Sequence, residues 1–167
     1  EIIIVPNNKF EHSYTSKIVK VIESGKVGPA KKRDLAAKVA NGYLLVFLDD
    51  DSFPAKNYLE IAYNLFKKDK ELVAVGGPGV MPKDQNFFGK VLGSIFISKL
   101  AGGYPERYLS VKKKKFLFTD DWPSVNMVIK KNFFIKIGGF DCNYWPGEDT
   151  ILCLKILNNH KKILYAP

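Results

Sequence analysis

Apolar positions in this chain fall into short solid runs separated by longer periodic stretches. Ile2-Ile3-Ile4-Val5 is a continuous, largely β-branched run, the pattern of a strand covered on both faces. Residues 6–16 are polar and turn-rich. Ile18, Val19, Val21 and Ile22 fit either a strand or a helix; the shortness of the run and Gly25 after it favour a strand. Pro29 opens and Gly42 closes a stretch with helical periodicity over residues 35–40, the proline-start, glycine-stop arrangement of a helix. Residues 43–48 are the strongest strand in the chain, and they run straight into Asp49-Asp50-Asp51-Ser52. A helix is predicted over 54–68, then a buried strand at 72–75, ended by Gly76-Gly77-Pro78-Gly79.

The second half is less regular. Residues 86–100 read as a helix bearing Phe87, Phe88, Val91, Leu92, Ile95, Phe96 and Leu100, and 101–115 as a loop ending in four lysines. A strand near 125–129 leads into a short helix at 131–137, a loop at 138–147, and a helix at 148–158 with Glu148 and Asp149 in its first turn. A last strand starts at Ile163. This alternation predicts an α/β fold: one domain over residues 1–167, on a mostly parallel sheet with helices on both faces.

Composition narrows the picture. The 167 residues suffice for one core, and a 46% hydrophobic content excludes a disordered chain. No apolar run reaches the roughly 20 residues of a membrane-spanning helix, and no secretory signal is visible. The chain opens and closes on strand-like segments instead of loose polar ends, so it is expected to be a piece of a longer protein, truncated at both ends. The net charge of +9 attracts polyanions without choosing among nucleic acid, acidic lipid and phosphorylated ligands. Cys142 and Cys153 form no CxxC pair, which points to a reducing, cytoplasmic setting, and two histidines with no nearby cysteine cluster argue against structural zinc.

Three segments carry chemistry. Adjacent carboxylates at the end of a buried strand repel one another, so Asp49-Asp50-Asp51 makes sense as a cation site where ligands of open α/β sheets bind. The bland alternative is a cap for the following helix, for which one aspartate would suffice. Glu148-Asp149, approached through Trp145-Pro146-Gly147, offers a general base beside the same cleft, or simply a favourable helix N-terminus. Gly28-Pro29-Ala30-Lys31-Lys32-Arg33 can hold phosphate through backbone N–H groups and Arg33, although Lys31 and Lys32 alone read as solvated surface.

Taken in order, these segments resemble the family-two inverting glycosyltransferases of the GT-A fold. The stretch from Gly28 to Ala36 is similar to the family's Gly-x-Ala-x-Ala-Arg-Asn-x-Gly helix start, and Leu48-Asp49-Asp50-Asp51-Ser52 to its DxD element. Asn126-Met127 followed by Lys130-Lys131, Gly138-Gly139-Phe140-Asp141 and Gly147-Glu148-Asp149-Thr150 resemble its Asn-Met, GGFD and ED elements. The resemblance implies a nucleotide-sugar donor, UDP-linked by preference, and Mn2+ or Mg2+. Asp51, with Asp49, would bind the metal. Asp49, Asp50, Arg33, Gly28 and Asn126 would meet the donor. Asp149 would be the catalytic base, with Glu148 positioning the acceptor. Partners would be a carbohydrate or lipid-linked acceptor and, at the cytoplasmic face, a membrane surface. Three departures stand out. The family's first strand is missing, Pro6-Asn7-Asn8-Lys9 replaces an acidic turn, and Asp34 stands where the family often has Asn.

Other readings weigh less. A nucleotidyltransferase would need a Gly-rich segment with Arg near the start, and a dehydrogenase a G-x-G-x-x-G after a strand; neither is present. A nucleic-acid module explains the charge but not two acidic clusters. A degenerate GT-A domain that binds without turnover is the remaining alternative. Residues 87–100 can lie on a membrane near the lysine run, but simple core packing is favoured for them. Trp122 and Trp145 can each stack on a sugar or pack in the core.

Overall fold

The computed structural model describes residues 1–8, 17–82, 84–100, 105–109, 116–141 and 144–167. The expected turn at residues 6–16 lies in large part outside the described residues, as do His12, Cys142 and the four lysines at 112–115.

Strands β1 (Ile2–Ile4) and β2 (Val19–Val21) pair in parallel. Helix α1 (Pro29–Val39) starts on Pro29, as its ring demands, and leads into β3 (Leu44–Leu48). Then come α2 (Tyr58–Lys68), β4 (Ala74–Gly76), α3 (Phe87–Phe96), β5 (Leu117–Thr119), β6 (Asn126–Lys130), α4 (Lys131–Lys136), α5 (Glu148–Asn158) and β7 (Ile163–Tyr165). The main sheet has the order β3-β6-β4-β7-β5.

The expected α/β domain with helices on both faces is what forms, and the alternation of side chains displays it. Leu45, Phe47, Ala74, Met127, Ile129, Ile163 and Tyr165 face one layer, with Ala37 of α1, Phe134 of α4 and Leu152 and Ile156 of α5. Their neighbours Leu44, Val46, Val75, Val128 and Leu164 face the other, against Ala62 and Phe66 of α2. Buried on both sides, these strands read as solid apolar runs.

The sheet is mixed, however, and not mostly parallel. β6 runs antiparallel to both β3 and β4, and β5 antiparallel to β7; only β4 and β7 pair in parallel within it. A parallel neighbour requires a crossover element that returns along the sheet. Helix α3 makes no such return. Gly93 is its one buried residue, and Phe87, Phe88, Leu92 and Phe96 are exposed. The chain therefore re-enters the sheet from the carboxyl end of β4, and both β5 and β6 run against the direction of β4. Core packing for α3, favoured from sequence, is thus wrong. No helix among the described residues is long and apolar enough to cross a membrane.

At the carboxyl end of β4 the strand meets an aromatic wall. A Cβ on Gly76 would lie 2.2 Å from Trp122, whose indole donates to the Gly77 carbonyl (3.1 Å) and stacks on Tyr165 at 4.9 Å between ring centroids. Trp122 is core. Trp145 is exposed.

Candidate active site

The connection from α1 to β3 spans only residues 40–43, so α1 must run antiparallel to β3. An 11-residue helix and a 5-residue strand are both about 16 Å long. The start of α1, with Gly28 as its N-cap, therefore stands at the end of β3 from which Asp49 projects. Helix α5 brings its own N-terminus, after Gly147, to the same place.

One side chain joins these elements. Arg33 Nη2 donates to Asp49 Oδ1 at 3.0 Å, and Nη1 donates to Glu148 Oε1 at 3.3 Å. Nη1 also lies 4.0 Å from Asp149 Oδ1. The two acidic motifs, from opposite ends of the chain, thus share one guanidinium. Planar guanidinium forks suit such bridging, which a lysine cannot reproduce. Glu148 is almost wholly buried, with a side chain 8% exposed, while Asp49 is 42% exposed and faces the cleft. Asp149 Oδ1 is buried and makes no hydrogen bond.

Arg33 is held from below. Its guanidinium lies 5.6 Å above the ring of Phe140, a fully buried residue wedged against Phe47 and Phe134. The loop that presents Phe140 is clamped from both sides. Asp34 accepts from the N–H of Phe140 (2.9 Å) and of Asp141 (3.0 Å), and Lys155 Nζ donates to the carbonyls of Gly139 (3.0 Å) and Phe140 (2.9 Å). Gly139 has φ +62°, and a Cβ there would sit 2.4 Å from Asp34 Oδ1, so both conformation and space demand glycine. The Asp34 departure now has a reason: a carboxylate accepts both N–H groups, and an amide can accept only on its oxygen.

The remaining predicted residues fall as follows. Asp50 and Asp51 lie exposed in the turn after β3, neither within ion-pair distance of Arg33. The helix-capping alternative fails for all three aspartates, because α2 begins only at Tyr58 with Asn57 as its N-cap. Asn126 pairs with Leu48 across the sheet, but its side chain is engaged by protein: Tyr58 donates to its Oδ1 (2.8 Å) and its Nδ2 donates to the Pro78 carbonyl (3.0 Å). Burial pushes the Tyr58 hydroxyl up to about 12. Gly28 has open space where a Cβ would stand. Among the described residues, no group of three His, Cys, Asp or Glu side chains is arranged to hold a metal on its own. The Asp34–Lys155 clamp escapes a reading of the sequence; its only signal there is the unusual Asp34.

An α/β domain with two acidic motifs converging at the carboxyl end of β3 is the frame of a glycosyltransferase. The family model for glycosyl transferase family 2 matches residues 3–136, and the chain belongs to that family. The match stops short of Gly138-Gly139 and of Glu148-Asp149. The crystal structure of GalNAc-T7 with UDP, GalNAc and Mn2+ superposes with a TM-score of 0.69 at 16% identity, over 100% of this chain and 36% of that one. The fold is GT-A, and the chain spans about a third of the length of that enzyme. No curated protein matches it.

Proposed function

We propose that this chain transfers a sugar from a nucleotide-sugar donor, a UDP-sugar by preference, to an acceptor hydroxyl with inversion at the anomeric carbon. The observation that carries the reading is the Arg33 bridge, which gathers Asp49, Glu148 and Asp149 at one cleft. The presence of UDP and Mn2+ with GalNAc-T7 supports the choice of nucleotide and metal.

The residues fit a divalent cation as a shared site. Three carboxylates face one guanidinium, a formal surplus of negative charge, and no protein cage surrounds it among the described residues. Such a surface suits a hard cation that keeps most of its coordination for diphosphate and water. Asp51, with Asp49, would hold the ion. When bound, Mn2+ or Mg2+ offsets the charge that develops on the departing diphosphate. Gly28 leaves room for a phosphate to approach the first N–H groups of α1, and Asp49 and Asp50 flank the nucleotide half.

Asp149 acts as general base. Its side chain is 30% exposed, with Oδ1 turned inward toward Arg33, so the carboxylate can take the proton of the acceptor hydroxyl on its outer oxygen. The hydroxyl oxygen forms a bond to the anomeric carbon as the carbon–oxygen bond to the diphosphate breaks. Glu148 does not meet the sugar directly but fixes Arg33, and through it the cleft. The acceptor is a carbohydrate or a lipid-linked saccharide, in polysaccharide, glycolipid or glycan assembly.

The test is calorimetric titration with UDP-, GDP- and dTDP-sugars, with and without Mn2+, on the wild type, Asp51→Ala and Asp149→Asn. One donor should bind only with metal. Binding should vanish in Asp51→Ala and persist in Asp149→Asn, which should lose transfer. Failure of every donor to bind in the presence of Mn2+ sinks the proposal.

A further inference from the structure

Helix α3 is built the wrong way round for a helix on the surface of a globular domain. At 100° per residue, Phe87, Val91, Ile95, Phe88, Leu92 and Phe96 fill one continuous half of its circumference. The other half holds Gly89, Gly93, Lys90 and Ser94. A surface helix ordinarily turns its apolar half to the core. Here the glycine side faces the protein: Gly93 is buried, so close to Met81 that a Cβ would overlap its methyl group. The six apolar side chains point away from it and are 42–76% exposed; Phe87 and Phe88 meet edge to face at 5.8 Å, and Phe96 meets Tyr108 at 4.9 Å at the margin. Leu100, just beyond, is fully exposed.

Charge selects the occupant. Lys90 and Lys99 are exposed on and just beyond the helix, and residues 83–121 carry eight bases against four acids, Asp84, Glu106, Asp120 and Asp121, the last of them paired with Arg107. A second copy of this chain would bring another net charge of +9 to the same surface, which opposes self-association. An anionic bilayer offers both an apolar interior and attractive headgroups, worth about 1 kcal/mol per basic residue near the surface. Ten residues span about 15 Å, half the hydrocarbon core, so the helix can lie in the interface but cannot cross it.

We infer that α3 is a membrane-docking helix that seats Phe87, Phe88, Leu92 and Ile95 in the interfacial layer of an anionic bilayer, with Lys90 and Lys99 at headgroup level. The surface is separate from the Arg33 cleft, so it stands whether or not the chain transfers a sugar.

Vesicle sedimentation tests it, using pure phosphatidylcholine and a phosphatidylcholine–phosphatidylglycerol mixture. The 167-residue chain should bind the mixture, weaken as salt rises, and bind pure phosphatidylcholine far less. Phe87→Ser with Phe88→Ser should lower the partition coefficient roughly tenfold or more, with an unchanged melting temperature because both rings are exposed. Phe87→Trp is a second probe that keeps the apolar face. The emission it adds should shift to the blue on anionic vesicles and be quenched by brominated lipid. Absence of binding by the folded wild type, undiminished binding by the double serine variant, or Phe87→Trp emission untouched by brominated lipid overturns the inference. So does a concentration-dependent dimer that the serine substitutions dissolve.

Discussion

Replacing Arg33 with lysine isolates what the bridge contributes, because charge is kept and only the fork is lost. The guanidinium makes two hydrogen bonds to carboxylates, at 3.0 and 3.3 Å, and one longer ion pair at 4.0 Å. A hydrogen bond to a charged group contributes about 1.5–3 kcal/mol. The Asp49 bond belongs at the low end, since that side chain is well exposed, and the Glu148 bond at the high end, since its carboxylate is nearly buried. A lysine ammonium reaches one of the two, so Arg33→Lys should lose about 1–3 kcal/mol. For a domain of this size each kcal/mol lowers the melting temperature by roughly 2–4 °C. Urea unfolding followed by circular dichroism measures the loss as a lower midpoint at constant slope. A double-mutant cycle with Glu148→Gln should return a coupling of about 1–2 kcal/mol, because the two substitutions remove the same contact. Transfer should fall by about tenfold or more, since the cleft is no longer held at bonding precision. An Arg33→Lys chain with the wild-type midpoint and no coupling to Glu148 would refute the bridge, and with it the argument that the two acidic motifs form one site.

Three further predictions concern groups near that site. Asp34→Asn keeps one acceptor and turns an amide donor toward a second donor, so it should cost about 1–2 kcal/mol in urea unfolding; an unchanged midpoint would mean that Lys155 alone clamps the loop. Burial pushes the Cys153 thiol from its ordinary 9.0 up to about 12. Cys153 should therefore resist alkylation at pH 8 until the chain unfolds, as peptide mass spectrometry can follow. The same shift sets an alkaline limit. Above pH 9 the unfolded thiol releases its proton while the folded one keeps it, so stability should fall by about 1.4 kcal/mol per pH unit until about pH 12. Tyr58 adds a similar decline above pH 10. Melting temperatures of Cys153→Ala between pH 8.5 and 11 should decline less steeply than those of the wild type, and parallel curves would count against the burial argument.

What can be read from sequence divides along a physical line. Buried strands and capped helices are legible because their signals are local: β3 is a solid apolar run, and Pro29 and Gly42 bracket α1. The acidic motifs are legible because repelling carboxylates have no structural excuse. Features that depend on distant partners are not. Strand β5 is three residues between lysines and aspartates, and it exists because β7 lies beside it. The direction in which the chain re-enters the sheet, at β5, turns on whether α3 returns across it, and apolar composition alone does not say which way a helix faces. In sequence Arg33 reads as a ligand for phosphate, whereas the fold commits it to carboxylates 16 and 115 positions away. That commitment changes the chemistry expected of it. Two of its five N–H donors are already given to Asp49 and Glu148, so an incoming phosphate meets a guanidinium whose charge is largely offset unless a cation takes over Asp49. Under the proposed reaction a cation at Asp49 would compete with Arg33 for one carboxylate, a competition that Asp50, which makes no pair with Arg33, would not enter.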